Sequence, residues 1–141
     1  MKVLSLFDGI SCGMLALQRA GIPVECYDAF EIDKYAVTVS KRNFPVIVHH
    51  GNVYDGDFTK FQGYDLLLGG SPCTYWSIAK KDREVDCNGE GFRLFKEYVR
   101  ALEESGCKYF LYENNYSVHQ RIKDEITRVL GVEPIMINSA L

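Results

Sequence analysis

The fold can be read from one stretch near the start of the chain: Val3-Leu4-Ser5-Leu6-Phe7-Asp8-Gly9-Ile10-Ser11-Cys12-Gly13. Its first half is a short, mostly apolar run, and its second half is a turn of small residues. Apolar residues then recur at helical spacing, at Met14, Leu15 and Leu17, until Gly21 ends the pattern. A strand, a tight turn and a helix in this order predict one βα unit.

The same alternation continues along the chain. Apolar runs predict five further strands, at residues 24–30, 46–49, 64–68, 109–112 and 134–137. Helical spacing appears between them, at residues 33–43, 94–102 and 118–130. This pattern is typical of a parallel sheet with helices on both faces, so the predicted fold class is α/β. The polar stretch 74–91 shows neither period, and we expect a long mobile loop there.

Length and composition restrict the class of protein. The 141 residues suit one domain, and 47% apolar with 25% charged residues is typical of a soluble globular chain. The apolar runs fall far short of the roughly 18 residues that a membrane span needs. Asp8 interrupts the first apolar run before a signal-peptide core is complete. We therefore expect a cytoplasmic protein with no membrane partner.

Cysteine count and charge exclude two further classes. The five cysteines are widely spaced without a C-x-x-C pair, so neither a disulfide framework nor a structural metal site is predicted. The net charge is 16 − 19 = −3, and the sequence pI is near 5.6. An acidic chain is unlike a self-sufficient nucleic-acid-binding domain, which is usually basic.

Small and polar residues follow five of the predicted strands. They are Asp8 to Gly13 after the first strand, Glu31 after the second, Asn52 after the third, Ser71-Pro72-Cys73 after the fourth and Glu113-Asn114-Asn115 after the fifth. In open α/β sheets, ligands bind outside the carboxyl ends of the strands. The sequence therefore predicts one site that collects these clusters.

Each candidate has a functional and a structural interpretation. Glu31 is suited to bind both hydroxyls of a ribose, or else it caps the helix that follows. Cys73 is either a nucleophile held in place by Pro72 or a small buried core residue. Glu113 is either a partly buried acid that donates a proton or a cap for the helix 118–130. A thiol and a carboxylic acid in one pocket favour covalent addition to an electron-poor ring.

Four motifs occur in a recognisable order: Phe7-Asp8-Gly9-Ile10, Glu31-Ile32-Asp33, Gly70-Ser71-Pro72-Cys73 and Glu113-Asn114-Asn115. In this order and spacing the chain resembles the DNA (cytosine-5) methyltransferase family from its first strand to its last. The resemblance implies a Rossmann-like S-adenosylmethionine-dependent methyltransferase fold with a mostly parallel sheet. Residues 1–141 would form a partial catalytic domain, incomplete at the C-terminus.

The resemblance also implies a cofactor, S-adenosylmethionine, bound across the first three strand ends. Phe7 and Ile32 would pack on the adenine, and Glu31 would bind the ribose. Asn52 and Val53 would meet the adenine edge. The other implied cofactor-binding residues are Asp8, Gly9, Ile10, Ser11 and Cys12 of the turn, and Leu94, which would close the pocket.

The reaction implied by the resemblance is methylation of carbon 5 of a cytosine flipped out of DNA. Cys73 would add to ring carbon 6, and Glu113 would hold or protonate ring nitrogen 3. Two other interpretations stay open. One is a tRNA cytosine-5 methyltransferase of the same family, and the other is a non-catalytic remnant that only binds the cofactor.

The chain departs from the family in three residues and in length. Asn52 stands where the family usually has aspartate, Thr74 where it often has glutamine, and Asn115 where it has valine. The family continues into a segment with a catalytic arginine, a target-recognition domain and a closing helix. We therefore expect an N-terminal portion that is inactive alone, with DNA bound mainly through the absent regions, in the cytoplasm or at the nucleoid. An open edge on the fifth strand would favour self-association.

Overall fold

The computed structural model describes residues 1–140, so Leu141, the last residue of the predicted domain, lies outside the described residues. Strands and helices alternate along this part of the chain. The strands are β1 (Lys2–Leu6), β2 (Cys26–Phe30), β3 (Val48–His49), β4 (Leu66–Gly69) and β5 (Tyr109–Tyr112). The helices are α1 (Cys12–Arg19), α2 (Lys34–Asn43), α3 (Glu90–Ser105) and α4 (Gln120–Leu130).

The strands form one sheet in the order β3-β2-β1-β4-β5. Every neighbouring pair in this sheet is parallel. The order of connection reverses between β1 and β4, and ligands of such sheets bind at the carboxyl ends beside this reversal. The predicted α/β class with a Rossmann-like sheet is confirmed.

Helices cover both faces of the sheet because side chains of β1 alternate between two apolar clusters. Val3 packs with Met14 and Leu17 of α1 on one face. Leu4 packs with Tyr98 of α3 on the other face, and all these side chains are buried. α4 packs beside the first half of α3 through Ile122 and Phe95 in a third cluster.

The predicted sixth strand at residues 134–137 is wrong. The described residues after Gly131 form no strand, and Ile135 and Ile137 are 84% and 81% exposed. An apolar run becomes a strand only where its backbone groups find a partner, and here the segment does not pair with β5, which lies at the edge of the sheet.

The predicted mobile loop at 74–91 is also wrong in part. A short 3₁₀ turn, Cys73–Tyr75, begins this segment, and α3 starts inside it at Glu90. Trp76 is fully buried and packs with Phe92. A single buried aromatic side chain produces no periodic pattern, so the sequence did not indicate this anchor.

The remaining boundaries differ from the predictions by a few residues, because β2, β3 and β4 begin later than their apolar runs. Within residues 1–140, no helix has the length and apolar character to cross a membrane.

Candidate active site

A cavity of about 190 Å³ opens at the carboxyl ends of β1, β2 and β4. Six predicted cofactor-binding residues line it: Phe7, Glu31, Ile32, Asn52, Val53 and Leu94. The other lining residues were not predicted as cofactor-binding from the sequence: Phe30, Gly51, Tyr54, Pro72, Thr74, Tyr75 and Glu90. Most of these missed residues belong to turns, where no periodic signal marks them.

The turn between β1 and α1 has an unusual backbone. Phe7, Gly9 and Ser11 all have positive φ angles, of 55°, 59° and 70°. Glycine adopts such angles freely, whereas a phenylalanine there costs on the order of 1 to 3 kcal/mol. The surrounding structure therefore holds this turn in place, and Phe7 is placed in the cavity wall as a result.

The Asp8 carboxylate supplies much of that support. It accepts hydrogen bonds from Ser5 Oγ and Tyr27 Oη, each at 2.6 Å, and from Ser11 Oγ. Ser11 Oγ also contacts Ser40 Oγ of α2 at 2.5 Å. Burial and the neighbouring Asp8 raise the pKa of Tyr27, so its phenol stays a donor. The side chains of Asp8 and Ser11 thus fix the turn beneath the site.

Gly9, Ile10 and Cys12 lie on the same turn, beside the cavity. The Gly9 N–H donates to the Glu31 carboxylate at 2.8 Å, so the turn is joined to the end of β2. Ile10 and Cys12 are exposed at the surface of the turn. Direct contact between these residues and a cofactor stays a prediction.

Glu31 connects two strand ends and borders the cavity. Besides Gly9, its carboxylate accepts from the backbone N–H of Ile32 at 2.9 Å and of Asp33 at 3.0 Å. The residue that caps α2 is Asp33, which accepts from the Tyr35 N–H at 2.8 Å. The capping interpretation of Glu31 is therefore wrong, and its carboxylate borders the cavity, while the ribose contact stays a prediction.

The wall after β3 is a rigid turn. Asn52 Oδ1 accepts from the Tyr54 N–H at 3.0 Å and so caps this turn. Arg100 of α3 donates to the carbonyls of Val53 at 3.0 Å and Gly56 at 2.8 Å. These bonds fix Val53, which is 5% exposed, against the cavity.

Tyr54 and Glu90 meet on the cavity wall. The Tyr54 phenol donates to Glu90 Oε1 at 2.6 Å, which joins the turn after β3 to the first residue of α3. Partial burial and this hydrogen bond raise the pKa of Tyr54 to about 12. At neutral pH the phenol therefore keeps its proton and remains the donor.

The ends of β4 and β5 approach each other closely at Gly70. The Glu113 N–H donates to the Gly69 carbonyl at 2.9 Å. A Cβ atom added at Gly70 would lie 2.0 Å from the Glu113 carbonyl oxygen, so no side chain fits there. The Glu113 carboxylate Oε2 would lie only 3.3 Å from the same point. Glu113 is therefore held against the start of the loop that carries Cys73.

Two more hydrogen bonds fasten this loop. Asn114 Nδ2 donates to the Ser71 carbonyl at 3.0 Å, and Ser71 Oγ contacts the Tyr112 hydroxyl at 2.8 Å. Asn114 therefore holds the loop that carries Cys73, a function that the sequence did not indicate. These contacts bring the loops of Cys73 and Glu113 to one edge of the sheet, as the strand pattern predicts.

Cys73 itself is exposed, so its interpretation as a buried core residue is wrong. It begins the 3₁₀ turn, and its carbonyl accepts from the backbone N–H of Trp76 at 3.0 Å and of Ser77 at 2.8 Å. The burial of Trp76 anchors this turn, so the thiol is presented to solvent from a fixed backbone.

Glu113 differs from the expectation in one respect. It is exposed rather than partly buried, because β5 is an edge strand with a neighbour on one side only. The cap of α4 is His119, whose Nδ1 accepts from the Arg121 N–H at 3.2 Å. The capping interpretation of Glu113 is therefore wrong. Among residues 1–140, no cluster of side chains is suited to hold a metal ion.

The parallel sheet with a cavity at its β1/β4 reversal defines a Rossmann-like α/β fold. A crystal structure of a DNMT2 mutant from Spodoptera frugiperda has this fold, with a TM-score of 0.71 at 22% identity, over 92% of this chain and 40% of that chain. The sequence match assigns the chain more narrowly than the fold does. The model of C-5 cytosine-specific DNA methylases matches residues 1–130, and the chain belongs to that family.

Two relatives support this assignment. The chain is 39% identical over 118 residues to the orphan methyltransferase M.SPRI of Bacillus phage SPR, covering 81% of this chain and 26% of that protein. It is 34% identical over 116 residues to the type II methyltransferase M.HgiCII of Herpetosiphon aurantiacus, covering 80% and 25%. The chain thus spans about a quarter of the length of these relatives.

We expect Gly70→Ala to lower the free energy of unfolding by about 3 kcal/mol, because the new methyl group meets backbone that cannot move aside easily. Gly106→Ala is the control, since its φ is 63° but nothing lies within 4 Å of the added Cβ. That variant should cost only about 1 kcal/mol, for backbone strain alone. Urea denaturation measures both, and equal losses would contradict the close approach at Gly70.

Proposed function

We propose that the chain is the cofactor-binding and catalytic-loop part of a DNA (cytosine-5) methyltransferase. One observation carries the proposal: the cavity that holds six predicted cofactor residues shares its wall with the loop that presents Cys73. Glu113, at the end of the next strand, lies against the same loop. The proposal includes that the chain alone turns over no DNA, and its acidic net charge of −3 supports this.

The cavity suits S-adenosylmethionine in its chemistry. Phe7, Ile32 and Leu94 line the cavity and offer apolar surface for a purine. The Glu31 carboxylate, held in place by three backbone N–H groups, is suited to accept hydrogen bonds from ribose hydroxyls. When bound, this cofactor supplies an electrophilic methyl group on a sulfonium.

The proposed mechanism assigns one step to each of two side chains. The Cys73 thiolate forms a bond to carbon 6 of the cytosine, and the ring electrons shift toward carbon 5. The Glu113 carboxyl group donates its proton to ring nitrogen 3, so that negative charge does not build up on the ring, and takes it back when the carbon 6–sulfur bond breaks. After carbon 5 is methylated, a base removes its proton and the carbon 6–sulfur bond breaks, which restores the aromatic ring and the thiolate.

We expect weak binding of S-adenosylmethionine to the 141-residue chain, and we expect Glu31→Ala to reduce it. The loss should be about 1 to 3 kcal/mol, the usual contribution of hydrogen bonds to a charged acceptor. Glu25→Ala, which removes a carboxylate just before β2, should leave the dissociation constant unchanged. Isothermal titration calorimetry measures all three proteins. An unchanged constant for Glu31→Ala would remove Glu31 from the ribose site, and no binding by the parent would contradict the proposed cofactor.

In a longer protein that carries this chain with its DNA-reading part, Cys73→Ser should abolish methyl transfer and leave cofactor binding nearly unchanged. A hydroxyl has a similar volume but is a far poorer nucleophile. Cys87→Ser, in the same loop, should keep most of the activity. The assay follows labelled methyl groups into duplex DNA and, in parallel, into tRNA. Substantial turnover by Cys73→Ser would contradict the nucleophile, transfer to tRNA alone would make the RNA interpretation correct, and no transfer by the parent would favour the non-catalytic one.

We also propose that the 141-residue chain self-associates through the edge of β5. Tyr109 and Leu111 are 51% and 56% exposed on this strand, beside backbone groups that face away from β4. Sedimentation velocity should show an average mass that rises with concentration, and Leu111→Lys should suppress the rise. Leu15→Lys, on α1, should not. A strict monomer at all concentrations would contradict this proposal.

A further inference from the structure

The two walls of the cavity come from different parts of the chain. One wall is the turn after β3, with Asn52 and Tyr54, and the other includes Tyr75 and Glu90 of the segment after Cys73. The hydrogen bond from the Tyr54 phenol to Glu90 Oε1, at 2.6 Å, crosses from one wall to the other. This bond therefore joins the two walls at the cavity itself, in addition to the hydrogen bonds from Arg100 of α3 that hold the same turn farther along the helix.

Glu90 is connected in turn to the loop of the nucleophile. Glu84 Oε1 accepts from the Glu90 N–H at 2.9 Å, and Glu84 Oε2 accepts from the Gly91 N–H at 3.0 Å. The Glu84 N–H donates to the Tyr75 carbonyl at 2.8 Å. Tyr75 closes the 3₁₀ turn that Cys73 begins. A continuous series of hydrogen bonds thus runs from Tyr54 to the turn of the proposed nucleophile.

The packing around Glu84 requires close approach. A Cβ atom at Gly89 would lie 2.1 Å from the Glu84 carboxyl carbon, and one at Gly91 would lie 2.5 Å from Trp76 Nε1. Both glycines therefore leave room for side chains of the loop to reach the start of α3. Trp76, fully buried, then fixes the loop to α3 by packing, while Glu84 fixes it by hydrogen bonds.

We propose that Tyr54 and Glu90 are positioning residues: their hydrogen bond, here called the clasp, joins the two walls of the cavity and holds the Cys73 turn against it. On this basis, a ligand that fills the cavity stabilises the clasp and with it the turn. The inference rests on the proposed function for the identity of the ligand, but the clasp itself is a property of the chain without ligand. Neither Tyr54 nor Glu90 takes part in the proposed reaction, because each acts only by holding the backbone of the Cys73 turn in place.

Hydrogen exchange tests the clasp directly, because the amides of Trp76, Ser77 and Glu84 are hydrogen-bonded only while the turn is closed. In Tyr54→Phe and Glu90→Ala, we expect exchange in residues 73–91 about three- to tenfold faster, the range for a partly exposed hydrogen bond to a charged group. Exchange in β1 should not change, which shows that the variants remain folded.

Two matched variants separate the clasp from general loosening. Glu90→Gln keeps an oxygen that accepts from the Tyr54 phenol, so its exchange should stay close to that of the parent. Tyr116→Phe removes a hydroxyl from a tyrosine that is 75% exposed, and it should change nothing in residues 73–91. The clasp is overturned if Tyr54→Phe exchanges like the parent, if Tyr116→Phe has an equal effect, or if Glu90→Gln exchanges as fast as Glu90→Ala.

A second arm adds S-adenosylhomocysteine at saturating concentration. We expect the parent to gain several-fold protection in residues 73–77, and Tyr54→Phe to gain less although it binds the ligand. Equal gains would overturn the link between cavity and turn. If the parent binds no ligand in calorimetry, the proposed function fails and the link with it, while the exchange rates without ligand still decide the clasp.

Discussion

The carboxylate of Asp8 is the interaction on which the site depends. It gathers hydroxyl donors from β1, β2 and the turn itself, and so holds the backbone between β1 and α1 in a conformation that only glycine adopts freely. That conformation places Phe7 in the cavity wall and directs the Gly9 N–H to Glu31. Asp8, a predicted cofactor-binding residue, thus supports the turn that borders the cavity and does not itself line the cavity.

The parallel sheet brings the other residues of the site together. Because all strands point the same way, the turns that follow them meet at one edge, and residues far apart in the chain become neighbours. Close approach between β4 and β5 at Gly70 then brings Glu113 against the loop of Cys73. The geometry of the candidate site is therefore set by backbone contacts as well as by side chains.

Several predictions were wrong for one shared reason: they used local sequence patterns, which do not show what packs against a segment in the folded chain. Residues 134–137 have the composition of a strand but do not pair with one. The 74–91 segment lacks periodicity, yet the buried side chain of Trp76 anchors it and Glu84 joins it to α3 by hydrogen bonds. Glu113 follows an apolar strand, but an edge position leaves it exposed. Burial and pairing depend on what lies across the sheet, which local sequence does not contain.

The sequence by itself determined the α/β class, the strand ends that form the site, and the identity of Glu31, Cys73 and Glu113 as candidates. It could do so because alternation of strand and helix, and the residue types of reactive groups, are local properties. Only the tertiary structure decided that the Glu31 carboxylate accepts from the Gly9 N–H at the end of the neighbouring strand, and that Tyr54 meets Glu90 across the cavity. Those choices depend on distances between residues remote in the chain, and distances are fixed only when the sheet and its helices pack together.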